Sequence, residues 1–153
     1  MTERSGYELP LLLLGAFRSL IGDLHAELAR RGHDLARPVH GFALQAIGPD
    51  SVTVSELGRR LGVSKQAAGK TVTSLEDAGY VTRSRHPSDA RAWELTRTPR
   101  GTEMLMLSAE IFDHLRERWI AQLGPRRLHA LETDLATVAR STELLTDLPG
   151  WLE

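Results

Sequence analysis

Cysteine is absent from the 153 residues of this sequence. Its absence excludes disulfides, thiol-based redox sensing and cysteine-ligated zinc, and it fits a cytoplasmic protein. The six histidines include no i, i+4 pair of the kind that typifies zinc sites. We therefore predict neither a metal nor another cofactor.

Long apolar runs are also lacking. The stretch LPLLLLGAF, from Leu9 to Phe17, is shorter than the roughly 18 residues needed to span a bilayer. It lacks the basic start and the small-residue cleavage site of a signal peptide, and Glu3 and Glu8 flank it. A protein without a membrane partner is expected.

Motifs of catalysis are missing as well. The sequence has no glycine-rich phosphate loop, no nucleophile elbow and no histidine–carboxylate cluster with metal spacing. Single serines such as Ser108 have no partnered base in view. An enzyme is not predicted.

Charge is unevenly distributed along the chain, although the net charge is only −1. Residues 51–101 hold nine basic and five acidic side chains, a net charge of +4, whereas the remainder has ten basic and fifteen acidic ones, a net charge of −5. A basic middle between acidic flanks indicates a localised surface for a polyanion.

Helical periodicity dominates both ends of the chain. From Leu9 to about Arg31, apolar residues recur at three- and four-residue steps, and a second helix is predicted from Pro38 to about Ile47. Thr98 and Pro99 can open a long helix to about Leu123. A last helix carries an apolar face made of Leu128, Leu131, Leu135 and Val138.

The centre reads as a helix-turn-helix followed by a hairpin. Thr53 and Glu56 have the spacing of a capping box, and Gly62 ends the short helix that they open. Ser64 can cap the next helix, which runs from Lys65 to about Ala78. Strands over 80–85 and 92–96 complete the pattern.

The second of these short helices has two distinct faces. Ala68, Val72 and Leu75 share one face and are expected to pack inward. The other face is polar and basic, with Lys65, Gln66, Gly69, Lys70 and Thr73. A helix in the DNA major groove needs such a face, because Gln and Lys pair with base edges or phosphates and Gly permits close approach. The alternative is an ordinary solvated helix face.

The hairpin tip adds a second candidate contact. Arg91 can enter the minor groove, held in place by the Asp89 carboxylate, unless Asp89 only stabilises the turn and Arg91 is solvated. Arg83 and Arg85 share a face of the first strand and can touch phosphates. Trp93 and Leu95 are expected to anchor the hairpin to the core.

His86, beside the tip, is open to two interpretations. It can gain charge below about pH 6.5 and strengthen a phosphate contact, or it can serve only as a turn residue.

The run from Ser55 to Gly101, SELGRRLGVSKQAAGKTVTSLEDAGYVTRSRHPSDARAWELTRTPRG, resembles the winged helix-turn-helix of the MarR family of bacterial transcriptional regulators. The most specific element is the wing, with Asp89, Arg91, Leu95-Thr96 and Gly101. The order of the flanking helices also matches the family. Ala67 and Gly69 stand where many members carry Thr, which indicates fewer contacts to the DNA bases at these positions.

The residues and the resemblance together give a predicted DNA-contact set of Ser64, Lys65, Gln66, Ala67, Gly69, Lys70, Thr73, Arg83, Arg85, Asp89 and Arg91. The resemblance further implies a homodimer with intertwined first and last helices. The apolar stripes of these helices exceed what a small winged domain needs, which favours a dimer interface over packing within one chain.

The resemblance also implies a small aromatic or anionic effector, which enters a crevice between the dimer helices and the reading head. Candidate crevice residues are Phe17, His40, Phe42 and Trp119, each of which is alternatively ordinary core.

The predicted fold is mainly α with a small β-hairpin wing, as one structural domain. Residues 1–48 supply N-terminal helices for dimerisation and the crevice, 49–98 the winged helix-turn-helix, and 99–153 the C-terminal dimerisation helices. The predicted function is a double-stranded-DNA-binding transcriptional regulator, most simply a repressor that binds a palindromic operator. The alternative is a winged-helix protein-interaction module that does not bind DNA.

Overall fold

A computed structural model describes residues 4–139 of the chain. Long helices at both ends flank a central segment of two short helices and a small sheet. In chain order the elements are α1 (Glu8–Arg30), α2 (Pro38–Ile47), β1 (Val52–Thr53), α3 (Val54–Leu61), α4 (Lys65–Asp77), β2 (Val81–Arg85), β3 (Trp93–Arg97), α5 (Pro99–Leu123) and α6 (Pro125–Val138).

The predicted mainly helical winged fold is confirmed, and every predicted helix is present with its ends within about two residues. The one element that the sequence did not predict is β1. It has two residues, too few for any periodicity, and it exists because Val52 and Thr53 pair with Leu95 and Glu94 of β3.

Local capping explains where the helix-turn-helix begins and turns. The Thr53 hydroxyl accepts a hydrogen bond from the Glu56 N–H at 3.2 Å, and the Ser64 hydroxyl accepts one from the Ala67 N–H at 3.1 Å. Gly62 ends α3 with φ 67°, a conformation that favours glycine. The predicted capping box is only half formed, because the Glu56 carboxylate accepts from Arg59 and Arg60 instead.

The sheet is antiparallel with the strand order β1-β3-β2. Residues directly opposite each other lie on the same face, so Arg83 faces the side of Leu95 and Arg85 the side of Trp93. Leu95 is fully buried, whereas Trp93 is 37% exposed. Along this face of the hairpin, the buried core therefore ends between Leu95 and Trp93.

The core joins the C-terminal half of α1 to the central segment and α5. Ala68, Val72 and Leu75 of α4 have no exposed surface, as predicted. Gly101 allows α5 to start against the strand, since a Cβ there would lie 2.2 Å from the Tyr80 carbonyl oxygen. The buried face of α4 packs within this core, which fixes α4 against the rest of the fold.

The N-terminal half of α1 lies outside this core. Leu9, Leu11, Leu12, Leu13, Leu14 and Phe17 are between 37% and 62% exposed. Among the described residues, α1 is the helix that is long and apolar enough to cross a membrane by length and composition. Arg18 and Asp23 interrupt its apolar sequence.

Candidate nucleic-acid interface

The polar face of α4 is open to solvent. Lys65, Gln66, Lys70 and Thr73 are exposed, and Gly69 is half-buried between them. The Thr73 hydroxyl donates to the Gly69 carbonyl oxygen at 3.1 Å, which leaves its lone pairs free to accept. The positive end of the helix dipole lies at Lys65, so this end of α4 favours an anion.

A groove of about 870 Å³ lies between α4, the start of α3 and the hairpin. Its lining includes six of the predicted contact residues, namely Lys65, Gln66, Gly69, Arg83, Asp89 and Arg91. The fold therefore brings residues from the helix and the hairpin, up to 26 positions apart in sequence, onto one concave surface.

The other five predicted contact residues lie outside this lining. Lys70 and Thr73 continue the exposed face of α4, and Ala67 is half-buried beside it. Ser64 is exposed, and its hydroxyl caps α4. Arg85 lies on the hairpin over the Trp93 ring.

Five lining residues were not predicted as contacts: Thr53, Val54, Ser55, Ala92 and Trp93. The first three reach the groove because β1 joins the sheet and turns the start of α3 towards α4. No local signal marked Trp93, because its exposure depends on where the sheet extends past the core.

Trp93 does not anchor the hairpin to the core, contrary to the prediction. Its ring is 37% exposed, and the Arg85 guanidinium lies 4.2 Å from the ring centroid. Leu95 alone makes the predicted anchor. The reason is geometric, because two residues along a strand advance about 6–7 Å and carry Trp93 past the edge of the core.

Asp89 holds the backbone of Arg91 rather than its guanidinium. The Asp89 carboxylate accepts a hydrogen bond from the Arg91 N–H at 2.9 Å, which is an Asx-type turn. The prediction that this carboxylate grips the Arg91 side chain is wrong, and the turn alternative holds. Arg91 is exposed at the hairpin tip.

Most arginines of the basic segment have internal partners. Arg83 donates to both oxygens of Glu76 at 3.0 and 2.9 Å, so it is not a free phosphate ligand. Arg59 and Arg60 both pair with Glu56. Arg85 donates to the Ala90 carbonyl oxygen at 2.7 Å.

Three exposed cations of the basic segment, residues 51–101, are left without such partners. Within residues 4–139, Lys65, Lys70 and Arg91 have no ion pair and no side-chain hydrogen bond. Their charge is available to an external anion, and it is concentrated on α4 and the hairpin tip.

The histidine near the tip behaves as a turn residue. His86 accepts a hydrogen bond from the Ser88 N–H through Nδ1 at 3.1 Å. His86 is absent from the groove lining, so the geometry favours the turn interpretation over a phosphate contact.

A smaller cavity of about 70 Å³ lies between α1, α2 and α5. Phe42 lines it, together with polar side chains that include His25, Arg37 and Gln45. The His25 Nδ1 atom is buried without a hydrogen-bond partner, and burial lowers the pKa of His25. A neutral ring presents this atom as an acceptor or a donor according to its tautomer.

The other three predicted crevice residues do not line this cavity. His40 is fully buried in the core, where Nδ1 accepts from the Arg37 N–H at 3.1 Å and Nε2 lies 2.7 Å from the Ser74 hydroxyl. Phe17 is on the exposed half of α1, and Trp119 is half-buried near the end of α5. Of the four predicted crevice residues, Phe42 alone lines this cavity, and the ligand crevice itself stays a prediction.

Two buried histidines make contacts across the core, His40 with Ser74 of α4 and His33 with Tyr80 just after α4. Burial, with Arg37 and His25 nearby, lowers the pKa of His40 to about 4. Burial and the charge of Arg100 lower the pKa of His33, whose Nδ1 lies 3.1 Å from the Tyr80 hydroxyl. Both rings are thus neutral near pH 7. Among the described residues, no group of three or more His, Asp or Glu side chains is arranged to hold a metal ion.

Known proteins have a similar sequence or fold. Residues 34–92 match the sequence model of the MarR family. The reduced form of MarR from E. coli has a TM-score of 0.72 and 20% identity, with 90% of this chain and 99% of that chain covered.

Two further solved structures are similar. A mutant MarR from E. coli complexed with operator DNA has a TM-score of 0.66 at 20% identity, covering 86% of this chain and 94% of that chain. The transcriptional regulator Tm0710 from Thermotoga maritima has a TM-score of 0.59 at 26% identity, covering 86% and 91%. No curated protein matches the sequence.

Proposed function

We propose that this chain is a winged helix-turn-helix regulator of the MarR family, whose sequence model matches residues 34–92, and that it binds specific double-stranded DNA as a homodimer. Members of this family are transcription regulators and not enzymes. The carrying observation is the single groove in which the exposed face of α4 and the hairpin tip converge.

The side chains of the groove and of the rest of α4 suit different parts of the DNA. Gln66 and Lys65 on α4 present donors to base edges in the major groove, and Gly69 permits the backbone to approach. Arg91 at the tip of the hairpin, now called the wing, enters the neighbouring minor groove, where negative potential attracts arginine. Lys70 contacts phosphate farther along α4.

The second subunit is argued from the exposed apolar side chains of the terminal helices. Six large apolar residues in the first half of α1 are at least 37% exposed, and Leu131, Leu135 and Val138 of α6 are also exposed. A run of exposed large apolar side chains such as that of α1 marks an interface. A second copy satisfies it and supplies the twofold symmetry of a palindromic operator.

The residue ranges then divide by task. Within 1–48 and 99–153, the helices α1, α2, α5 and α6 provide the dimer helices, and 49–98 provide the reading head. The parts of these ranges before residue 4 and after residue 139 lie outside the described residues. In the simplest arrangement the dimer occupies a promoter and blocks polymerase, so it acts as a repressor in the cytoplasm.

Release by a small effector is proposed at the cavity between α1, α2 and α5. The unpartnered His25 Nδ1 gives a hydrogen-bond partner for a phenol-like ligand, and Arg37 gives a charge for an anionic one. A ligand larger than the present 70 Å³ must widen the cavity, which would move α2 and, through the His40–Ser74 contact, α4.

A selection experiment tests the proposed function. Purified protein is incubated with random DNA duplexes, and the bound fraction is amplified and sequenced. We expect a palindromic consensus with half-sites about 10 base pairs apart. Enrichment of no sequence would contradict DNA recognition and leave the interaction-module alternative.

The Arg91→Ala variant tests the wing on the selected duplex. We expect a loss of about 1–3 kcal/mol in binding free energy, measured by fluorescence anisotropy. The matched control is Arg126→Ala, which removes an exposed arginine at the start of α6 and is expected to bind as the native protein does. Equal affinity of both variants would exclude Arg91 as a contact.

A further inference from the structure

The wing carries a row of contacts that the proposed DNA readout does not use. Arg83 forms a bidentate pair with Glu76 of α4, with side-chain exposures of 27% and 32%. An ion pair of this kind, planar and half-buried, is better ordered than a typical surface pair. It joins the last full turn of α4 to the middle of β2.

A second step of the row runs across the sheet. The Trp93 ring lies 4.2 Å from the Arg85 guanidinium and 5.9 Å from that of Arg83, measured to the ring centroid. The two arginines and the indole lie on one face of the hairpin, past the end of the apolar core. Stacked guanidinium groups hold the indole in place of core side chains.

The last step reaches the tip. The Arg85 Nη1 atom donates to the carbonyl oxygen of Ala90 at 2.7 Å, and Ala90 directly precedes Arg91. The Asp89 carboxylate fixes the Arg91 N–H. The peptide group that joins Ala90 to Arg91 is therefore held at both of its polar atoms, the carbonyl oxygen by Arg85 and the N–H by Asp89.

We propose that Glu76, Arg83, Trp93 and Arg85 form a brace that fixes the wing relative to α4 and so aims Arg91 at DNA. The proposal rests on the proposed DNA-binding function. In it, Arg83, Arg85 and Trp93 are positioning residues for Arg91 and not phosphate ligands. Ordering the tip before binding reduces the entropy that Arg91 loses when it enters the groove.

The alternative role of Arg83 predicts opposite results, which makes the proposal testable. If Arg83 contacts phosphate, Glu76 only weakens that contact, and removal of its negative charge should tighten binding. If Glu76 belongs to the brace, Glu76→Gln should weaken binding although it makes the protein more positive. Whether Glu76→Gln weakens or tightens DNA binding therefore distinguishes the two roles of Arg83.

The experiment measures affinity for the duplex that the native protein selects from a random pool, across a salt series. We expect Glu76→Gln and Arg83→Lys each to bind about tenfold more weakly, with the salt slope unchanged, because lysine keeps the charge but not the bidentate geometry. The doubly reversed variant, E76R with R83E, should recover most of the loss. Asp77→Asn, which removes a neighbouring exposed acid on α4, is the matched charge control and should bind as tightly as the native protein or more tightly.

A double-mutant cycle adds a readout that general destabilisation would not move. Arg91→Ala is expected to weaken native binding about tenfold or more, but Glu76→Gln with Arg91→Ala should lose less than threefold beyond Glu76→Gln alone. Tighter binding by Glu76→Gln overturns the brace. So does a salt slope that is smaller by about 1 in Arg83→Gln, together with additive effects of Glu76→Gln and Arg91→Ala. If the native protein selects no duplex, the proposed function itself is overturned.

Discussion

At the scale of single residues, small geometric facts decide what each side chain can do. Sequence spacing predicted correctly which residues of α4 point inward, because helical periodicity is local. It could not predict the partners of Arg83 or the exposure of Trp93, because these depend on where the sheet extends past the core. The Asp89 contact was ambiguous from sequence, since one carboxylate reaches either the N–H or the guanidinium two residues on.

Substitution of two glycines should have opposite effects on stability. Gly101→Ala places a Cβ 2.2 Å from the Tyr80 carbonyl oxygen, so we expect a loss of about 1–3 kcal/mol or more in the free energy of unfolding. Gly69→Ala meets no atom within 4 Å and should stabilise α4 by roughly 0.5–1 kcal/mol. Urea denaturation followed by circular dichroism measures both, and a stable Gly101→Ala would refute the close contact.

His40 should make stability depend on pH between about 6.5 and 4. Its pKa is lowered to about 4 in the folded protein, whereas an unfolded histidine titrates near 6.5. The unfolded chain therefore binds more protons within this window, and stability falls as the pH is lowered through it, by up to about 3 kcal/mol from this residue.

The measurement compares urea midpoints of the native protein and His40→Gln at several pH values. The variant should be less stable at pH 7, because it disrupts the contacts with Arg37 and Ser74, but its stability should change less from pH 6.5 to 4. The window of Glu56, whose pKa two arginines lower to about 2, lies below pH 4.5 and does not overlap most of this range. Parallel pH curves for the two proteins would rule out His40 as the titrating group.

At the scale of helices and strands, prediction succeeded where signals are local and failed where they are not. Caps at Thr53 and Ser64, the glycine at 62 and the proline at 99 gave the helix ends closely. β1 was invisible because its two residues become a strand only by pairing with β3. The lining of the cavity between α1, α2 and α5 was equally hard to predict: it includes Phe42, whereas the other three proposed crevice residues lie elsewhere on these helices.

The exposed half of α1 gives the test of assembly. Leu13 is 44% exposed, and Leu13→Glu places a charge within the proposed dimer interface. Burial of an unpaired charge there is costly, so we expect the dissociation constant of the dimer to rise at least tenfold. Sedimentation equilibrium measures the change.

Ala29→Glu is the control for added charge, since Ala29 lies on α1 at an exposed position away from the leucine-rich half. It should remain dimeric. Dissociation of both variants to the same extent, or a native protein that is monomeric at micromolar concentration, would contradict the α1 interface.

At the scale of the whole molecule, the distribution of charge matters more than its total. A protein with a net charge of −1 can bind DNA because its basic residues collect in the central segment. Internal pairing then reduces the useful charge, since five arginines of that segment, Arg59, Arg60, Arg83, Arg85 and Arg100, are engaged within the fold. Counting charges in the sequence could not reveal the pairing of Arg83 and Arg100, because their partners come from distant parts of the chain, whereas Arg59 and Arg60 pair with Glu56 of their own helix.

The salt dependence of DNA binding measures that reduced charge directly, and it is the measurement that tests the central claim. Lys65, Lys70 and Arg91 of the two subunits bring about six positive charges to the DNA, and each displaces condensed counterions, so log Kobs against log salt should have a slope of about −5. We predict this slope on the selected duplex, with weaker binding to a scrambled duplex of equal length. A slope near zero, or equal affinity for both duplexes, would contradict a sequence-specific dimer that reads DNA through this groove.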